Sequence, residues 1–156
     1  MMVGEAPSAK ATRPFDSASG RILMKMLTRI GVSSTELYMT NLIKCPLPER
    51  SSLSYAYIRA CIRHLESEVR IIRPKIVVLL GSVTSRYVLS RACGRPISLY
   101  RVHGRVFPAK LFGVRTLLLP MYHPAVIFYN PRLLRVVERD FLILADLIDS
   151  MDDFRN

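Results

Sequence analysis

Short apolar runs alternate along this chain with stretches of helical periodicity, the pattern of βαβ units wound around a mostly parallel sheet. Ile76 to Leu80 is an unbroken β-branched and leucine run, as expected of a central parallel strand covered on both faces. Met1 to Val3 reads as the end of a strand that stops at Gly4, a short strand is expected around Leu37 to Met39, and Arg105 to Phe107 and Thr116 to Leu119 read as the last strands. Between Gly20 and Ile30, the residues Ile22, Leu23, Met26, Leu27 and Ile30 fall on one helical face, with Gly31 placed to stop the helix. Ile58, Cys61, Ile62, Leu65, Val69 and Ile72 recur at helical spacing while Arg59, Arg63 and Arg70 point elsewhere, which predicts an amphipathic helix. Gly81 and Ser82 open another, and a closing helix carries Leu134, Val137, Phe141, Leu144 and Ile148 as its inner stripe. Asn41 to Ser52 contains Pro46 and Pro48, which remove backbone donors and restrict their predecessors, so a surface loop is expected there. The architecture these elements predict is α/β: a three-layer αβα sandwich around a mostly parallel, four-stranded sheet, in a single domain over 1–156.

Charge narrows the partner. Against 12 Asp plus Glu stand 23 Lys plus Arg, a formal +11, and half of the acids crowd the closing stretch at Glu138, Asp140, Asp146, Asp149, Asp152 and Asp153. The remaining surface is therefore strongly basic, which favours a polyanion, most often nucleic acid, through counterion release. An anionic membrane is the competing reading; against it, no run approaches the about 18 apolar residues that span a bilayer, and no cleavable signal pattern opens the chain. Cys45, Cys61 and Cys93 are an odd number without a secretory signal, which points to a reducing cytoplasm and away from a disulfide framework. A cytoplasmic monomer is expected.

In open α/β sheets ligands bind beyond the carboxyl ends of the strands. Here those ends are Gly4-Glu5-Ala6-Pro7, Thr40-Asn41, Gly81-Ser82 and Tyr122-His123-Pro124. Alone, an Asn after a strand is more often a turn residue, a glycine-serine pair a helix cap, and a single His something other than a catalyst. Taken in order, however, Gly4-Glu5-Ala6-Pro7, Arg13-Pro14-Phe15, Tyr38 to Cys45, Pro74 to Gly81, Tyr122-His123-Pro124-Ala125 and Asn130-Pro131 resemble the motifs of the thermophile-type, iron-sulfur (fourth-family) uracil-DNA glycosylases over nearly the whole chain.

That resemblance implies an enzyme that releases uracil from DNA and leaves an abasic site. A base must leave the duplex to be cut, and is read by stacking and by hydrogen bonds to its Watson-Crick edge. Phe15 matches the stacking residue. Asn41 matches the residue that accepts from uracil N3-H and donates to O4, where cytosine presents the reverse pattern. His123 matches the donor to uracil O2, on which negative charge gathers as the bond breaks. Glu5 matches the acid that orients the hydrolytic water and steadies the sugar cation, and Ala6 shapes the pocket through its backbone. Val126 to Tyr129 reads as an exposed apolar loop; Phe128 in it would be a wedge filling the gap left by the base, with Arg132 nearby, or the loop packs on the last helix. Ser8, where the family usually has glycine, and Gly81 and Ser82 at a helix start, complete the expected DNA contacts.

The match breaks at the metal. The family holds a [4Fe-4S] cluster on four cysteines, and Cys45 and Cys61 match the second pair, whereas the C-x-x-C pair expected upstream of Gly4 is absent and Cys93 matches no ligand. Such a cluster normally needs four thiolates, so either a truncated gene product or a relative that has lost the cluster is expected. Ser8 to Thr12 also lacks the family's acidic stretch. Two other classes stay open: a DNA-binding relative that no longer catalyses, and a nucleotide-binding α/β module sharing only the scaffold.

Overall fold

A computed structural model describes residues 1–8, 17–47 and 55–152. Its strands are β1 (Met2–Gly4), β2 (Met39–Asn41), β3 (Ile76–Leu80), β4 (Phe107–Leu111) and β5 (Val114–Met121), in the order β2-β1-β3-β5-β4. The first three and β5 run parallel; β4 and β5 form an antiparallel hairpin. The helices are α1 (Ala18–Arg29), α2 (Tyr55–Ile72), α3 (Ser82–Cys93), α4 (Leu99–Val102), α5 (Val126–Tyr129) and α6 (Leu134–Asp152), with 3-10 turns at Ser34–Glu36 and Pro131–Leu133.

The βαβ expectation holds, and β3 shows why. Alternate side chains of a strand face opposite sides of the sheet: Val77 and Leu79 join a core with Ile58, Leu65 and Val69 of α2 and Val88 and Leu89 of α3. Val78 and Leu80 join another with Leu23 and Leu27 of α1 and Val137, Phe141 and Leu144 of α6. A strand buried on both faces has no polar phase to show. Ser17 caps α1 by accepting from Gly20 N at 3.1 Å, and Gly31, at φ 75°, follows its end.

The sheet has five strands where four are expected. The edge strand read at Arg105 to Phe107 lies further on, from Phe107 to Leu111, where exposed Pro108 and Lys110 mask the strand pattern, as suits an edge that must not pair further. The two-residue turn joining β4 to β5 places Phe112 at φ 47° and Gly113 at φ 90°, both positive as a type I′ hairpin demands. The second strand lies at Met39–Asn41 rather than Leu37 to Met39.

The loop expected from Asn41 to Ser52 is not wholly on the surface either, because Leu42 and Ile43 are fully buried while Cys45 and Pro46 are exposed; its part from 48 on lies outside the described residues. Backbone bonds from Leu42 N to Gly4 O and from Ile43 N to Glu5 O, both 2.8 Å, carry the β1–β2 pairing past the strand ends. In the closing helix Leu134 leaves the inner stripe at 40% exposure, while Val137, Phe141 and Leu144 keep it. Among the described residues, no helix is long and apolar enough to cross a membrane.

Candidate active site

Four parallel strands end at one edge, and their registry brings the expected residues there. Gly4 pairs with Asn41, so Glu5 follows directly beside the end of β2; Leu80 pairs with Met121, so Gly81 lies beside the Tyr122-His123 segment. With adjacent strands about 4.8 Å apart, β2 and β5 lie roughly 14 Å from each other across β1 and β3.

Asn41 is 6% exposed, and its carboxamide is not one of the fully buried unsatisfied groups among the described residues, which are the Thr84 and Ser90 hydroxyls. Its neighbour Thr40 projects the other way and is fully engaged: Thr40 Oγ1 donates to Glu68 at 3.0 Å, and Lys44 Nζ lies 2.6 Å from Thr40 Oγ1 and 2.8 Å from Glu68. This network ties the end of β2 to α2.

Glu5 is held through its backbone by Ile43, and partial burial raises its carboxyl above the usual carboxylate range. His123 is placed by three features. Ala125 N donates to His123 Nδ1 at 3.1 Å, which in the neutral ring leaves the proton on Nε2. Val126 N donates to His123 O at 2.9 Å, closing the turn into α5. Gly81, at φ 88° and bonded through its N-H to Met121 O at 2.9 Å, packs alongside, so that a methyl group on it would touch His123 Cβ at 3.7 Å. Burial lowers the imidazole's affinity for a second proton, so near neutral pH it is an uncharged donor at Nε2.

Behind this segment lies an aspartate that sequence reasoning counts only as a surface acid. Asp140 is 1% exposed; it accepts from His103 Nδ1 at 2.9 Å and from Tyr122 N at 3.3 Å, and the His103 and Tyr122 rings stand 4.8 Å apart. Burial raises the Asp140 carboxyl more than the His103 contacts lower it. The signal for it is present in the chain: Asp140 falls in phase with Val137, Phe141 and Leu144, an acid inside an apolar stripe.

Of the remaining expected residues, Ala6 is half-buried and Ser8 exposed beside Glu5, while Ser82 is exposed at the start of α3. Val126 to Tyr129 is one turn of helix rather than a loop, and only its second half is open: Phe128 is 57% exposed and Tyr129 89%, while Val126 and Ile127 pack on the α1–α6 face. Arg132 is exposed in the next turn, where its N-H donates to Asn130 Oδ1 at 3.2 Å. Phe15, with Arg13 and Pro14, lies outside the described residues. A cavity of about 540 Å³ opens at the opposite, amino edge of the sheet between Ile30, Tyr38, Lys75 and Ile148, and none of these candidates lines it.

The cysteines do not make a cluster site. Cys45 is exposed, Cys61 half-buried with Lys44 N 3.5 Å from its sulfur, and Cys93 exposed at the far end of α3. Among the described residues no group of three or more His, Cys, Asp or Glu side chains is placed to hold a metal. Two neighbouring thiols fall short of the four that a [4Fe-4S] cluster takes, so the residues present do not fit the whole group.

Comparison with known proteins agrees with the fold. The family model described as the uracil DNA glycosylase superfamily matches residues 1–143. The type-4 uracil-DNA glycosylase of Sulfurisphaera tokodaii is 34% identical over 151 residues, which cover 94% of this chain and 69% of that protein. The type-4 enzyme of Saccharolobus solfataricus is 30% identical over 154 residues, covering 96% and 71%. That of Pyrobaculum aerophilum is 31% identical over 143 residues, covering 90% and 73%.

Proposed function

The chain belongs to the uracil DNA glycosylase superfamily, and on that premise we propose that it hydrolyses the N-glycosidic bond of a deoxyuridine swung out of DNA, releasing uracil and leaving an abasic site. The observation that carries this reading is the meeting of three unlike groups at one sheet edge: a half-buried carboxylate, a buried carboxamide, and a neutral imidazole held by Ala125.

Each group then has a task. Asn41 accepts from uracil N3-H and donates to O4, the pattern that cytosine reverses. Phe15 stacks on the base. As the C1′–N1 bond breaks, its electron pair leaves with uracil and charge collects on O2, where the Nε2-H of His123 donates. A donor at O2 binds the departing anion better than the intact nucleoside, so it lowers the barrier rather than only tightening binding. Positive charge left on the sugar is steadied by Glu5, which also takes the proton of the water that adds to C1′. Its raised proton affinity makes it a stronger base than an ordinary glutamate. Ala6 shapes the pocket wall. Phe128 enters the space vacated by the base, and Ser8, Gly81, Ser82 and Arg132 meet the flanking backbone.

A labelled oligonucleotide with one uracil, treated with protein and then alkali, is expected to be cut at the uracil. Scission no greater than that given by a folded His123→Ala variant overturns the reading. Binding without scission selects a non-catalytic DNA-binding relative, and nucleotide binding without DNA affinity selects a nucleotide-binding module.

A further inference from the structure

Away from the strand ends, a groove of about 430 Å³ lies between α3 and the start of α2, lined by Tyr55, Arg86, Tyr87, Ser90, Arg91 and Arg95. All three arginines are exposed, and none is paired with a carboxylate of the described residues. Arg91 is set over the Phe112 ring at 6.0 Å. The Tyr55 and Tyr87 rings stand 6.3 Å apart at 43°, and Tyr55 is 51% exposed. Ser90 adds one of two buried side-chain hydroxyls without a partner among the described residues.

A helix end attracts cations to its last turn, which accounts for Arg91 alone. Arg86 sits nearer the start of α3, where the dipole gives a cation no advantage, and Arg95 lies beyond the helix. A polyanion satisfies all three. The tyrosines narrow the choice further, because a duplex presents phosphates but no ring faces, whereas an unpaired strand offers both. Position links the groove to the site. Ser82, Arg86 and Ser90 recur every fourth residue on one face of α3, so a stripe descends from the edge at Gly81 and His123. At 1.5 Å per residue Ser90 is about 12 Å below Ser82, the rise of roughly three to four nucleotides at 3.4 Å each.

We propose that this groove holds an unpaired DNA segment a few nucleotides away from the base in the pocket, with Arg86, Arg91 and Arg95 on its phosphates and Tyr55 stacked on a base. The proposal rests on the glycosylase reading for what occupies the pocket, but its binding test does not depend on activity. Anisotropy of a labelled 20-nucleotide single strand without uracil is expected to show about tenfold weaker binding to Arg86→Glu/Arg95→Glu. The slope of log K against log salt should be shallower by about 1.4, from two lost contacts at about 0.7 each. Tyr55→Ala should weaken binding of the single strand several-fold and of a duplex of equal length not at all. On uracil substrates, both variants should raise KM for a 20-nucleotide strand and leave excision from a pentanucleotide unchanged.

Three results overturn it: variants that bind the single strand like the parent, equal losses on long and short substrates, or an equal loss from a control reversal, Lys110→Glu/Arg115→Glu, on the exposed face of the hairpin. The uncharged pair Arg86→Gln/Arg95→Gln, checked by urea unfolding, separates lost contacts from a folding defect. A parent protein without excision activity would remove the glycosylase reading and leave the anisotropy result to decide the groove.

Discussion

Asp140→Ala removes the one acceptor shared by His103 Nδ1 and the Tyr122 backbone N-H, at 2.9 and 3.3 Å, from a site that is 1% exposed. The Tyr122 N-H then has no acceptor, which costs about 1–3 kcal/mol, and the bond from His103 to a charged group, worth about 1.5–3 kcal/mol, is lost. The sum, roughly 2.5–6 kcal/mol, brackets the about 3–5 kcal/mol that breaking one side of a buried pair usually costs. It is a large share of the roughly 5–15 kcal/mol that holds a domain folded. Asp140→Asn behaves differently. Its oxygen still accepts from Tyr122, its amide can donate to a neutral His103, and the cost of burying a charge disappears, so a loss under about 1.5 kcal/mol is expected.

The sign of the pH dependence follows from the same balance. Burial raises the Asp140 carboxyl above its unfolded value, so its favourable contribution is present below pH 3.8 and is lost as pH rises through the folded value. Asp140→Asn should therefore lose least, relative to the parent, near neutral pH. Urea unfolding followed by circular dichroism measures both variants. Equal midpoints for Asp140→Ala and the parent at pH 7 would refute the assignment of Asp140 as the anchor of the Tyr122-His123 segment. A matching drop in kcat with KM unchanged, in Asp140→Asn, would show that the anchor serves His123 as well as stability.

Three further changes probe the edge itself. Asn41→Leu replaces the carboxamide of a residue that is 6% exposed by an apolar group of similar size, so stability in urea unfolding should change by less than about 1 kcal/mol while uracil excision falls at least a hundredfold. His123 is depressed by burial; its stabilising contribution is present above pH 6.5 and fades as pH falls through the folded value, and a His123→Ala variant compared across pH 4.5 to 7.5 should lose that acid-side slope. Gly81→Ala places a side chain at φ 88°, ψ 171°, a region used almost only by glycine that costs an L-residue about 1–3 kcal/mol, while the added methyl meets His123 Cβ at an ordinary 3.7 Å. Thermal unfolding should show the loss, and excision at a temperature where both proteins are folded should change less than tenfold.

What the sequence discloses divides along physical lines. A strand such as β3, apolar on both faces, is visible because burial leaves it no polar phase; β4 is read only at its first residue, Phe107, because an edge strand carries Pro108 and Lys110, the residues that deny it further pairing. Prolines correctly signal a break after Cys45 yet say nothing about Leu42 and Ile43, which are core because they extend β1–β2 pairing and thereby fix Glu5. The edge residues Glu5, Asn41 and His123 are found by motif and strand-end position. Their environment is not, since it depends on groups far away in the chain: Glu68 engages Thr40 and Asp140 holds Tyr122.

The same division explains why Asn41 and His123 differ from their neighbours. Thr40 and the Tyr122 N-H, each one residue earlier in the chain, are engaged by these distant carboxylates, whereas neither carboxylate reaches Asn41 and burial weakens the charged form of His123. A ligand that matches both ends of the Asn41 carboxamide would bind the folded chain and not the unfolded one. Unliganded protein should then be less stable than protein with free uracil present, by RT ln(1 + [L]/Kd). Uracil, but not cytosine, is expected to raise the unfolding temperature of the parent and to leave that of Asn41→Leu unchanged; equal shifts by the two bases would mean that the carboxamide does not read the edge of the base.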